Sequence, residues 1–465
     1  MKRLFITILV LSLFTACERK IDEFVPDTNT LNFNKFVAVG GSYSAGYADG
    51  ALYKTGQENC IPNIIAEQFK LAGGGKFNQP YLKGDKYANG VGVQPKTDGS
   101  LYFHTELSLQ FVKDLTCAGT PLTTSSLKSI YTVDDPDQAQ LYALLVTRPD
   151  SIGPYNNMGV PWIRINDLYK DALQLNNPYF TRFSASSASS IMKDALAQQP
   201  TFFMFWAGDN DALMPALAGT DQGITKVDTF QFYYNRAVDN LLASGSSPKG
   251  VLVTIPDITS IPFFTTISKQ LPYNGVELVR QGQADKLNAL YNSYEHPEIV
   301  WKVGLNPFVI IKEDGSLGQM DQDDIFLLTL PTDSIKCRGM GMGDTIEDKL
   351  YPIPRQFVLQ LSAKDNIQDM IVKYNEIITK LAGEKSLALA DLNAFMKTLE
   401  SGMVFDGIKM NTTYISGGMF STDGIHLNPL GNAVVANYII RAINAKYECK
   451  IPQANITEYP GLWFP

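Results

Sequence analysis

Phe36-Val-Ala-Val-Gly-Gly-Ser-Tyr-Ser-Ala-Gly46 carries the reading of this chain. Four apolar residues run without alternation into Gly40-Gly41. Such a run, closed by glycines, predicts a strand buried on both faces that empties into a tight turn. Ser42 stands where that strand ends. Its flanking glycines let the backbone turn sharply and lift the hydroxyl clear. No Gly-Lys-Ser/Thr follows and there is no Gly-x-Gly-x-x-Gly, so a phosphate-cradling loop is disfavoured.

The pattern repeats along the chain. Thr201–Ala207, Gly250–Ile255 and Ser386–Ala390 are further apolar runs, ending at Gly208, Pro256 and Asp391. Helical spacing lies between them. Ile367, Met370, Ile371, Tyr374, Ile377, Ile378 and Leu381 share one face, with Gly383 as the expected stop. Ile191–Gln198 reads as a helix, and Asn428-Pro429 as a cap and first-turn proline before another over Ala433–Ala445. Continuous strands alternating with helices predict an α/β fold with a parallel sheet covered on both faces. Two stretches break the rhythm. Residues 90–150 are mixed and polar. Residues 262–354 are long and include Asn306–Gly315, which reads as a hairpin, and the glycine-rich Gly339–Gly343, which reads as a loop. The second stretch is expected either to cap the active site or to be a peripheral ornament.

A serine hydroxyl needs a neighbouring base to act as a nucleophile. The chain has only 3 histidines. His104 and His296 have no suggestive company, whereas Asp423 precedes His426 by three residues. That spacing can set a carboxylate beside one ring nitrogen, fixing the tautomer and stabilising the imidazolium. No second histidine or cysteine accompanies them, so a zinc site is not expected. Asn210, in Gly208-Asp-Asn-Asp211, follows a buried strand, where parallel sheets bind ligands. Its side-chain amide can donate to an oxyanion. Singly, each block also has a bland reading as a turn or strand end.

Together the blocks resemble the SGNH (GDSL-type) hydrolase family. Gly40-Gly41-Ser42-Tyr43 matches the nucleophile block, Gly208–Asp211 the asparagine block and Asp423–His426 the Asp-x-x-His block. Asn157-Met-Gly-Val-Pro-Trp162 matches the remaining block. The resemblance implies a three-layer α/β/α sandwich with a flavodoxin-like parallel sheet. It implies a domain over 35–447, with insertions at about 90–150 and 262–354 and a C-terminal extension over 448–465. Ser42 would be nucleophile, His426 base and Asp423 orienter. The Ser42 N–H, the Asn210 side chain and the N–H of Trp162 or Gly159 would form the oxyanion hole, with Gly90 as a further alternative donor. No metal or organic cofactor is required. Two positions depart from the pattern. Gly41 replaces the aspartate before the nucleophile. Trp162 stands where the family has the oxyanion glycine, and its bulk would narrow the pocket. The implied activity is hydrolysis of a carboxylic ester: a short-acyl or O-acetyl glycan ester, or a lipid ester. An inactive protein of the same fold that binds a glycan or a partner protein is the rival reading.

The 465 residues, 45% hydrophobic and 18% charged, suffice for a large core. A net charge of -8 without a basic tract argues against nucleic acid as a partner. Lys2 and Arg3, the apolar run Leu4–Phe14 and Thr15-Ala16-Cys17 read as an export signal over 1–16. Its end resembles the lipobox of bacterial lipoproteins, with Phe14 in place of the usual leucine. Cys17 would then be lipidated and the body tethered to a membrane through polar residues 17–34. Glu18 beside it offers nothing to retain the protein at an inner membrane, so the outer membrane is expected. Removing the signal deletes two positive charges and no acid, taking the net charge from -8 to -10. Cys60, Cys117, Cys337 and Cys449 match no metal spacing and are expected to be buried free thiols.

Overall fold

The computed structural model describes residues 24–83, 90–95, 100–270 and 275–465. The export signal, Cys17 and the first part of the tether lie outside the described residues. The central sheet has five parallel strands: β1 (Phe36–Gly40), β2 (Asn157–Gly159), β3 (Phe202–Trp206), β4 (Lys249–Val253) and β5 (Ala388–Ala390). Their order is β5-β4-β3-β1-β2. This is the flavodoxin-like doubly wound arrangement, which reverses direction between β1 and β3. Every residue of β1 and β3 is buried, as continuous apolar runs require.

Eight helices frame the site and sheet: α1 (Ser42–Ala45), α2 (Ile61–Leu71), α3 (Ile191–Ala197), α4 (Asp209–Leu217), α5 (Val227–Ala243), α6 (Leu361–Glu384), α7 (Leu392–Glu400) and α8 (Pro429–Tyr447). Helix α8 packs on α2 and covers one face of the sheet; α3, α5 and α6 cover the other. The Asn428 side chain accepts from the Gly431 N–H at 2.8 Å, with Pro429 in the first turn. Val434, Val435, Ile439, Ile440 and Ile443 of α8 are fully buried. Helix α6 ends at Glu384, one residue after Gly383. Strand β2 has three residues and went unmarked in the sequence, because it is too short to show a run.

Two glycines are required by close approach. A Cβ on Gly40 would lie 2.3 Å from the Trp206 carbonyl oxygen, and one on Gly159 would lie 2.4 Å from the Ala45 nitrogen. Both obstacles are backbone. Gly159→Ala is expected to destabilise the fold by about 1–3 kcal/mol, read as a lower denaturant midpoint; an unchanged midpoint would refute the contact.

Residues 90–150 form a ribbon of Leu107–Leu115 against Pro121–Tyr131, a smaller hairpin and the helix Gln138–Val146. Within 262–354, Val309–Ile311 pairs with Leu317–Gln319 as a hairpin. This segment has a small core of its own around Ile267, Phe308, Ile310, Phe326 and Ile353. One expectation is overturned. Cys117 and Cys337 are joined as a disulfide, across 220 residues of sequence. Position along the chain could not reveal the pairing, because it depends on the ribbon tip meeting the helix Thr332–Arg338. Lys128 and Asp333 reinforce the same junction at 3.7 Å. Cys60 and Cys449 are buried free thiols, and burial pushes Cys60 up to about 12.

Candidate active site

Ser42 opens α1 at the carboxyl end of β1, and Asn210 lies in the first turn of α4 after β3. Both therefore stand at the point where strand order reverses, which is where doubly wound sheets form their ligand crevice. Asp423 and His426 reach the same place from the turn before α8. His426 Nε2 lies 2.8 Å from Ser42 Oγ, and His426 Nδ1 lies 2.8 Å from Asp423 Oδ2. Ser42 is 5% exposed, His426 2% and Asp423 8%, so little water competes for these bonds.

Asp423 is held on every side. Its Oδ1 accepts from the Ser421 hydroxyl at 2.9 Å and from the Ile425 and His426 N–H groups at 2.8 Å each. Its Oδ2 also accepts from the Gly50 N–H at 3.0 Å. Burial alone would raise its carboxyl. The His426 charge and this set of donors outweigh burial and hold it well below the usual carboxylate range. The acid is thus fixed as an anion beside the imidazole.

A second layer clamps this arrangement. Tyr47–Ala48 and Ala51–Leu52 pair around Asp49-Gly50, with φ of 53° and 72° at the two turn residues. That is the left-handed pair an Asp-Gly hairpin turn accommodates. Asp49 Oδ1 accepts from the Thr422 N–H at 2.9 Å and hydroxyl at 2.7 Å, and its Oδ2 from Tyr53 at 2.6 Å. Tyr43 donates to the Ile425 carbonyl at 3.0 Å and stacks on Trp206. Asn157 donates to the Ser44 carbonyl at 2.8 Å, tying β2 to α1, the helix that carries Ser42. The sequence reading passed over Tyr47, Asp49 and Ser421. Asp-Gly between two apolar pairs was the available signal for the turn. The donation to Asp423 was not legible, because its partner is 373 residues away.

Donor accounting separates the candidates for the oxyanion hole. The Gly159 N–H is spent on Asn157 Oδ1 at 3.0 Å, and the Gly90 N–H on Glu106 Oε2 at 2.7 Å. Neither is available, which corrects the expectation for Gly159. Among the described residues, the N–H groups of Ser42 and Trp162 donate to nothing. Asn210 gives one amide hydrogen to the Ile163 carbonyl at 2.9 Å, leaving the other. Its Nδ2 lies beside the Gly41 Cα, 3.6 Å from where a Cβ would be. Trp162 sits at φ +66°, a conformation natural to glycine and costly for a bulky residue. Gly41 leaves open the space that a side chain before Ser42 would fill.

Of the other histidines, His104 is buried against the Thr105 carbonyl and Tyr131, and His296 pairs with Glu298. Asp209, buried beside the Trp206 Nε1 at 3.0 Å, is pushed up to about 6 by burial. Among the described residues no group of three or more His, Cys, Asp or Glu could hold a metal ion, and no helix is long and apolar enough to cross a membrane.

The two odd stretches both meet the Asp423 turn. The Phe263 N–H donates to the Gly424 carbonyl at 2.9 Å, and Ser129 of the ribbon donates to the Thr422 carbonyl at 3.1 Å. Residues 262–354 thus touch the turn that carries Asp423 and His426, and the disulfide joins the two stretches beyond it.

No protein-family profile matches the chain, and no curated protein matches it. Among solved structures, it is similar to the lipase/acylhydrolase from Enterococcus faecalis, with a TM-score of 0.26 and 13% identity over 64% of this chain and 77% of that one. A superposition that loose leaves the functional reading to the geometry of the site itself.

Proposed function

We propose that this chain is a serine-dependent carboxylester hydrolase of the SGNH type. The single observation that carries the reading is the continuous Ser42–His426–Asp423 relay, two bonds of 2.8 Å each. His426 Nε2 takes the Ser42 proton as Oγ attacks the ester carbonyl. The Ser42 and Trp162 N–H groups and the free Asn210 amide hydrogen receive the oxyanion. Asp423 holds Nδ1 protonated and steadies the imidazolium. His426 then gives its proton to the leaving alcohol, and water, deprotonated by the same nitrogen, releases the acid. The substrate would be a small-molecule, glycan or lipid ester.

The test is 4-nitrophenyl acetate with the purified chain lacking its first 16 residues. The expected result is turnover above buffer, with a burst of one nitrophenolate per chain where deacylation is slower than acylation. No turnover of this or any longer ester would contradict the reading. We further propose, on the sequence of residues 1–17, that the protein is exported and anchored through Cys17, at the outer membrane. Metabolic labelling with an alkyne fatty acid, lost in Cys17→Ser, would support the anchor.

A further inference from the structure

Trp162 is built into the nucleophile turn. The Val160 N–H donates to the Gly40 carbonyl at 3.0 Å, and Asn210, which lies against Gly41, donates to the Ile163 carbonyl at 2.9 Å. Residues 160–163 therefore run alongside Ser42. The indole sits edge-on to Tyr47, with ring centres 5.8 Å apart, and Tyr47 lies 4.9 Å from the His426 ring. Tyr179 backs the same wall, 6.0 Å from Tyr47. The Tyr47 hydroxyl donates to the Gly50 carbonyl, and the residue is buried, so its ring is fixed between Trp162 and His426.

The turn does not need a tryptophan. At φ +66° glycine would form it more cheaply, because a Cβ is penalised there. A bulky residue kept in such a conformation beside reacting atoms points to a task for its side chain. A carbonyl oxygen that accepts from the Trp162 N–H brings its carbon chain within reach of that residue's own indole. Resting on the ester-hydrolase reading above, we infer that Trp162, braced by Tyr47, is the specificity-determining residue that closes the acyl side of the crevice. The substrate class is then a short-acyl ester, acetyl above all, and long-chain lipid esters are excluded.

The experiment compares 4-nitrophenyl acetate, butyrate and octanoate on the wild type, Trp162→Gly and Trp162→Phe. In the wild type, kcat/KM for acetate should exceed that for octanoate by at least about 100-fold, since each misfit methylene is worth roughly tenfold or more. Trp162→Gly, which suits the backbone, should raise the octanoate-to-acetate ratio at least about tenfold. Trp162→Phe should keep the wild-type preference. A wild type that hydrolyses octanoate as readily as acetate overturns the inference without recourse to a variant, as does an unchanged ratio in Trp162→Gly. Labelling of Ser42 by a fluorophosphonate separates the two levels. A labelled enzyme with a flat chain-length profile defeats only the acyl limit, whereas an unlabelled one defeats the ester-hydrolase reading and this inference with it.

Discussion

Ser42→Ala should lower kcat by about 10⁴- to 10⁶-fold, the range seen when the nucleophile of a relay is removed and only binding and oxyanion donors remain. The effect is on rate, not on folding. The Ser42 hydroxyl bonds to His426 and belongs to the first residue of α1, outside the sheet. Its loss leaves His426 Nε2 without a protein partner, a cost of about 1–3 kcal/mol at most, and the nucleophile turn is held by Gly40, Asn157 and Asn210. Circular dichroism and a melting curve should therefore match the wild type closely while ester hydrolysis falls to background. A variant that retains even a tenth of the wild-type rate would place the nucleophile elsewhere.

Asp423→Asn should cost about 10⁴-fold in kcat, because an amide beside Nδ1 favours the wrong tautomer of the base. Here the effect is compounded. Four protein donors besides the imidazole aim at this carboxylate. An asparagine amide must turn its own N–H₂ toward some of them. A pH signature accompanies the loss. The folded carboxyl titrates well below its ordinary range, so the unfolded chain binds the proton first. The stability contributed by the ionised form is full above about pH 4, the unfolded value, and is lost as pH falls below it. The gap in melting temperature between wild type and Asp423→Asn should be wide at pH 7 and shrink as the pH approaches 3. A gap that stays constant would mean that the carboxylate charge does not stabilise the fold.

Much of this architecture is legible in the residues. Phe36–Val39 and Phe202–Trp206 announce buried strands because both faces of each are covered, and Gly40, which closes β1, is forced by the Trp206 carbonyl and the Ser44 side chain. His426 stands out by elimination in a chain with 3 histidines. What the sequence hides is whatever depends on distant pairing. Strand β2 is a three-residue edge with no run to read. The Gly50 N–H that reaches Asp423 belongs to a turn that looks purely local. The Cys117–Cys337 bridge depends on where a ribbon tip falls in space. That the Gly159 N–H is already taken by the Asn157 side chain is likewise something no spacing encodes.

The central claim is an activated serine at position 42. Intact-mass measurement after treatment with a fluorophosphonate tests it most directly. One adduct on the wild type, mapped to Ser42, and none on Ser42→Ala is the predicted result. An unmodified wild type, or equal labelling of the variant, would contradict it.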